Sequence, residues 1–291
     1  MKRYSLLKEL QFSDIASLVY WSLLTLIILL FHRGLEDWGV YVLGHLLIIA
    51  VIFGLAWAVK RKPSGWLVFI RDWYPVALVV FGFEEMNKLV TIIFPYWANR
   101  FLMGLDKAIF GVYPTVWMEH LVSPWLSEIM VFFLFAYFFM AAAGGGLLYA
   151  QGKRSEFYEV AFNVILAYYL SFFLFLFFPA EGPWVIMKNL QTKALDGRFL
   201  THLYYALQKA GSIRGGCFPS SHVAGAFAIA LSMRKHHKKA FWGLLFFAVG
   251  VALAVVYARY HHAVDSLAGL LIAAFAVFAG SRISALRRPR D

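Results

Sequence analysis

The sequence predicts an all-α fold: a polytopic bundle of about eight transmembrane helices in a single integral membrane domain, with further helices lying in the interface. Three observations carry the prediction. Hydrophobic residues fill 62% of the 291 positions and charged residues only 15%, where an ordinary globular domain carries about 25% charge. Apolar runs long enough to cross a bilayer recur along the chain, such a helix needing roughly 20 mostly apolar residues and about 17 at the least. Lysine and arginine collect in alternate connections between these runs, as they do in cytoplasmic loops.

The first run, 15–31, is followed by "HRGLEDWG" without an A-x-A-like cleavage site, so it reads as a retained helix and not a signal peptide. The second, 40–59, ends on Lys60, Arg61 and Lys62. The third, 73–94, carries Glu84, Glu85 and Lys88, charges that each cost about 2.5–3.5 kcal/mol near the bilayer centre. The step from Glu84 to Lys88 allows a pair on one helical face. These three suit either a polar network holding the helix to the bundle or polar groups behind an acceptor pocket. Residues 95–123 mix aromatic side chains with Arg100, Asp106 and Lys107 and suit helices in the interface. Runs 124–149 and 160–178 follow. The sixth is short: 223–233 offers eleven residues before the basic "RKHHKK", so it spans only if its helix begins near Ser220 and carries Ser221 and His222 with it. Runs 241–257 and 264–280 complete the set, giving a six-helix core over about 66–282 preceded by two N-terminal spans.

With a cytoplasmic N-terminus and eight spans, both termini lie inside, and so do 17 of the 27 lysines and arginines, among them Lys2, Arg71, Lys153, Lys235, Lys238 and Arg287. In a bacterial or archaeal cell this membrane is the cell membrane. The net charge of +11 reads as topology plus attraction to anionic membrane lipids. It is not read as nucleic-acid binding, because no basic domain stands outside the membrane to grip a duplex. Cys217 is the one cysteine, which excludes an intramolecular disulfide and reads as a small packing residue.

Two short stretches hold the chemistry. "GCFPSSHVAG", Gly216 to Gly225, sets Ser220, Ser221 and His222 at the mouth of the sixth run. "YARYHHAVDSLAG", Tyr257 to Gly269, ends the seventh run and opens the eighth, so the topology brings both stretches to the non-cytoplasmic side. His261 and Asp265 stand four apart, on one face if the segment is helical, where the carboxylate can hold one imidazole nitrogen and leave the other free to attack. A phosphoryl group in transfer spreads negative charge over its equatorial oxygens. Arg259 and Arg214, the latter in "SIRGG", are the cations at hand, and the first-turn amides of a helix starting at Ser220 would point at the phosphate. Both arginines also suit headgroup anchors. No cluster with metal-ligand spacing is visible, and the aromatic wealth fits packing and interface belts, so neither a metal nor another cofactor is expected.

"PSSH" followed at a distance by "HHAVD" resembles the second and third motifs of the type 2 phosphatidic acid phosphatase superfamily, P-S-x-H and H-x-x-x-D. The resemblance implies metal-independent phosphoryl transfer through a phosphohistidine. On it, His261 matches the nucleophile, Asp265 its orienting carboxylate and His222 the general acid. Ser220, with Ser221 beside it, matches the phosphate-holding serine. The family's first motif, K-x6-R-P, does not occur, and Val255 stands where the third motif has an arginine, leaving Arg259 as its replacement one helical turn later. "FPAEGPW" and "RDWYP", with "HHAVD", look closest to the branch that includes inositol phosphorylceramide synthases, whose members pass the phosphoryl-containing group to an alcohol.

The expected activity is therefore a membrane phosphatase acting on a lipid phosphate or diphosphate, with transfer to an alcohol acceptor as the alternative. Glu181, Arg100 and Asp106 are the polar groups available for such an acceptor, Glu181 otherwise reading as an exposed loop carboxylate. A transporter is the rival from another class, since intramembrane charges can line a pathway, but it leaves the histidine motifs without a task and the chain shows no inverted repeats. A catalytically dead lipid-binding scaffold would have lost one of His222, His261 and Asp265, and all three are present.

Overall fold

The computed structural model describes residues 9–211 and 213–285; the basic residues Lys2, Arg3, Lys8, Arg287, Arg288 and Arg290 lie outside them. It is all-helical in those residues: α1 (Phe12–Phe31), α2 (Trp38–Arg61), α3 (Gly65–Leu89), α4 (Asn99–Phe110), the single turn α5 (Pro114–Trp117), α6 (Pro124–Ala150), α7 (Arg154–Phe175), the single turn α8 (Pro183–Ile186), α9 (Phe199–Gly211), α10 (Ser221–Met233), α11 (Lys238–Tyr257) and α12 (Ala263–Ala285). Seven of these, α1, α2, α3, α6, α7, α11 and α12, are long and apolar enough to cross a bilayer, and α10 is the shorter apolar helix. The chain is an integral, multi-pass membrane protein.

α10 spans about 20 Å against the roughly 30 Å of a hydrocarbon core. It is surrounded by α6, α7, α11 and α12, and all but two of its thirteen residues are buried, so its ends meet protein and not lipid. Apolar side chains gain little by leaving lipid for protein, and close packing has to hold the helices together instead. The small residues of "VAGAFAIA" allow it: a Cβ on Gly225 would collide with the Tyr168 hydroxyl of α7. α1 and α2 stand outside this group, α1 packing on α7 and α2 on α3.

α3 begins eight residues before the run read from sequence, capped by Ser64, whose hydroxyl accepts from the Leu67 amide (3.3 Å). The charges "RD" that hid this start are neutralised inside the bundle. Arg71 donates twice to Asp14 of α1 (2.9 and 2.7 Å), Tyr74 donates to the same carboxylate (2.6 Å), and Asp72 accepts from Arg154 and Tyr158 (3.0 Å each). Arg71 is thus a buried tie between α1 and α3, not a loop cation. The earlier start also moves Glu84, Glu85 and Lys88 from mid-helix into the last two turns of α3.

Candidate active site

The two histidine stretches meet where α10 and α12 begin. Ser220 caps α10, its hydroxyl accepting from Val223 N (3.4 Å), and its own amide donates to the Asp265 carbonyl (3.0 Å). Gly269 lets α12 come this close, since a Cβ there would lie 2.5 Å from the Ser220 carbonyl oxygen. Asp106 of α4 accepts from the amides of Val264 (3.0 Å) and Ala263 (3.4 Å), placing a carboxylate at the positive end of α12. That buried role removes Asp106 from the groups available to an acceptor. His261 sits in the turn between α11 and α12, which is closed by the amides of Tyr260 and His261 donating to the Val255 carbonyl (2.9 and 3.1 Å).

The imidazole of His261 is fixed by backbone. Its Nδ1 lies 2.8 Å from the Cys217 carbonyl, and a carbonyl only accepts, so Nδ1 carries the proton and Nε2 keeps its lone pair. Nε2 faces His222 Nδ1 at 3.4 Å. The Asp265 carboxylate stands 3.6 Å from Nδ1, beyond a hydrogen bond. The direct His261–Asp265 bond expected from their spacing is not made, because His261 precedes the first residue of α12 and the helical i,i+4 relation does not hold. Asp265 Oδ2 instead accepts from the His262 amide (2.7 Å) and from the thiol of Cys217 (2.9 Å), and its Oδ1 is buried with no hydrogen-bond partner among the described residues. Burial and, next, the Asp265 charge push the Cys217 thiol pKa well up, so the thiol stays protonated and donates. Cys217 is therefore more than a packing residue.

His222, His261, Ser221 and Cys217 line one end of a cavity of about 470 Å³ between α3, α6 and α7. Its wall on α3 runs from Glu84 down to Asp72, about 18 Å along the axis, and is almost wholly apolar between them. α3 packs on α7 and α2 and reaches α6 at the far end, where Trp73 and Phe69 meet Tyr149 with ring centroids 5.7 and 6.0 Å apart. Above that contact, Val76 and Val80 of α3 and Phe138 of α6 both line the cavity and are exposed on the outer surface. The cavity thus has a side facing lipid.

The cations lie next door. A neighbouring hollow of about 570 Å³ is lined by Arg259, Arg214, Lys188, Glu181, Gln191 and Gln208 and shares Gly182, Trp184 and Tyr204 with the histidine cavity. No lysine or arginine lines the histidine cavity among the described residues. Arg259 does not occupy the helical face of Val255: α11 ends at Tyr257 and Arg259 takes a left-handed backbone (φ 65°), which turns its guanidinium to Glu119 (2.9 Å) and the Lys193 carbonyl. Arg214, largely exposed, pairs with Glu181 (2.5 Å) and lies over Trp97 (5.2 Å). Glu181 is buried, not an exposed loop carboxylate, and also accepts from Asn99 (3.1 Å).

Of the α3 charges, Glu85 is buried against His45 of α2 (2.9 Å), whose other nitrogen meets Thr25 of α1 (2.8 Å), so it belongs to a polar network. Glu84 lines the histidine cavity, Lys88 is exposed, and the two form no ion pair with each other. Sequence reasoning missed Cys217, Glu119 and two tyrosines: Tyr137, whose ring lies 4.9 Å from His222 and whose hydroxyl bonds that of Tyr168, and Tyr260, 6.0 Å from His222. Burial raises the Tyr260 hydroxyl to about 12, keeping it a donor. Cys217 and Tyr260 adjoin the motifs and were open to notice; nothing in sequence links Glu119 or Tyr137 to them.

A sequence profile described as the PAP2 superfamily matches residues 100–279, more than half of the chain. A PA-phosphatase related-family protein of Dictyostelium discoideum is 34% identical over 120 residues, which cover 40% of this chain and 22% of that protein. Undecaprenyl-diphosphatase BcrC of Bacillus subtilis (strain 168) is 35% identical over 72 residues, covering 25% of this chain and 37% of BcrC. The chain thus spans well under half the length of either relative. No solved structure gives a significant match.

Proposed function

The chain belongs to the PAP2 superfamily, and we propose that it is a membrane phosphatase that cleaves a lipid phosphate or diphosphate through a phosphohistidine. One observation carries this reading: an imidazole whose unprotonated Nε2 faces Nδ1 of a second histidine, 3.4 Å away, lies at the polar end of an apolar cavity with a side open to lipid. The substrate's hydrocarbon chain lies along α3, and its phosphate meets the histidines. His261 Nε2 attacks phosphorus; the bond to the lipid oxygen breaks as His222 gives that oxygen its proton. His222 then takes a proton from water, whose oxygen attacks the phosphohistidine and releases inorganic phosphate. Ser220 and Ser221 with the first-turn amides of α10 hold the phosphate oxygens. Arg214 and Arg259 reach them from the neighbouring hollow by exchanging Glu181 and Glu119 for phosphate. Asp265 stabilises the His261 cation through the Cys217 loop. The six-helix core over about 66–282 carries the site, on the non-cytoplasmic side.

Transfer to an alcohol, the inositol phosphorylceramide synthase-like reading, is favoured by the polar hollow beside the histidines. A bound alcohol competes with roughly 55 M water only if held at high effective molarity, and Glu181 in that hollow is the carboxylate to hold its hydroxyls. A panel of lipid phosphates and diphosphates with the purified protein, assayed for free phosphate and new lipid products with and without alcohols, decides between them. The phosphatase reading expects free phosphate from at least one lipid, and no phosphate from any would overturn it. Under transfer, Glu181→Gln lowers lipid product while phosphoenzyme formation is unchanged; phosphate as the sole product with every alcohol rejects transfer.

A further inference from the structure

Behind the face of His261 that meets substrate, three different metal-ligating groups converge. Cys217 Sγ, His261 Nδ1 and Asp265 Oδ2 all lie within 4.8 Å of one another and are buried. Their separations are 2.9 Å for sulfur to carboxylate, 3.6 Å for sulfur to imidazole and 3.6 Å for imidazole to carboxylate. Around a tetrahedral zinc ion, bond lengths of about 2.0–2.3 Å put such donors about 3.3–3.6 Å apart. Two of the three already stand at that separation. The short third is the thiol hydrogen bond, which disappears when the thiol loses its proton. A second observation points the same way: the remaining oxygen of Asp265 is buried without a hydrogen-bond donor, as a carboxylate is when its natural counter-group is a cation.

We infer that Cys217, His261 and Asp265 form an inhibitory site for a thiophilic divalent cation of the zinc type. The thiol releases one proton to solvent, and thiolate plus carboxylate balance the two positive charges, which a buried ion requires. The metal replaces the hydrogen bond from Nδ1 to the Cys217 carbonyl: the imidazole proton moves from Nδ1 to Nε2, Nδ1 gives its lone pair to the metal, and the Nε2 lone pair that attacks phosphorus is gone. Cys217 and His261 line the substrate cavity, which gives the ion its way in. The binding rests on the geometry alone; its effect on turnover rests on the histidine reading above.

Cadmium is the probe, because its thiolate charge-transfer absorption reports on sulfur and this chain has a single cysteine. Titrating the purified full chain with cadmium should raise that band, which Cys217→Ser abolishes. Asp265→Asn and His261→Gln should each weaken the affinity at least tenfold. Zinc should inhibit the wild type, with full recovery on chelation. No band, or equal affinity in both ligand variants, overturns the site, the latter meaning that cadmium binds a bare thiol. Should Asp265→Asn not fold, His261→Gln alone decides. Three-ligand binding with unimpaired turnover would uphold the site and overturn His261 as nucleophile.

Discussion

Two of the histidine–carboxylate couples buried among the described residues, His45–Glu85 and His261–Asp265, are built oppositely. His45 and Glu85 meet directly at 2.9 Å between α2 and α3, and Thr25 takes the other ring nitrogen. Every ring position there is occupied, on the side of the bundle away from α10. His261 and Asp265 stand 3.6 Å apart with the Cys217 thiol and carbonyl between them, one ring nitrogen faces a cavity, and one carboxylate oxygen has no partner. A couple that satisfies itself holds helices together. One whose hydrogen-bonding capacity is left over is available to a substrate or an ion. The difference is invisible in residue type and lies in the connecting atoms.

Breaking the open couple has the largest expected effect. His261→Ala should lower turnover by about 10³-fold or more, and acid-labile phosphate trapped on the wild type should be missing from the variant; full activity would equate the two couples. His222→Gln should cost about 10²–10⁴-fold, the range for a lost general acid, without altering the melting temperature. Breaking the closed couple should do the reverse. Glu85→Ala leaves Nε2 of His45 without its partner in the bundle and should destabilise by about 3–5 kcal/mol, read as a fall in thermal midpoint, with turnover per folded molecule unchanged. Cys217→Ala removes the thiol bond to Asp265 and should slow turnover about tenfold, the worth of one hydrogen bond to a charged group. Chelation should have the smallest effect: activity persists, since the proposed cycle uses no metal, and an absolute demand for an added ion would break the comparison altogether.

Topology offers a separate check. With Cys217 replaced, a cysteine near Lys193 should react with an impermeant reagent from outside and one near Lys238 should not. Lys193 neighbours Arg259 at the histidine end, and Lys238 starts α11 at the opposite end, so the reversed labelling would turn the site to the cytoplasm.

What the sequence by itself determined is the solvent and the inventory. Helical spans, the early start of α10 at Ser221 and the pairing of "PSSH" with "HHAVD" all follow from hydropathy and local spacing, because in lipid each backbone must satisfy itself within one continuous segment. Even there, charge misled at "RD": Arg71 and Asp72 find partners on α1 and α7 that no local window contains. The tertiary structure alone decided which atoms touch. It ended α11 before Arg259 and so gave that guanidinium to Glu119, buried Glu181 under Arg214, and slid the Cys217 loop between His261 and Asp265. Hydrogen bonds form or fail over a few tenths of an ångström, a scale set by how helices far apart in sequence pack and not by the spacing of residues along the chain.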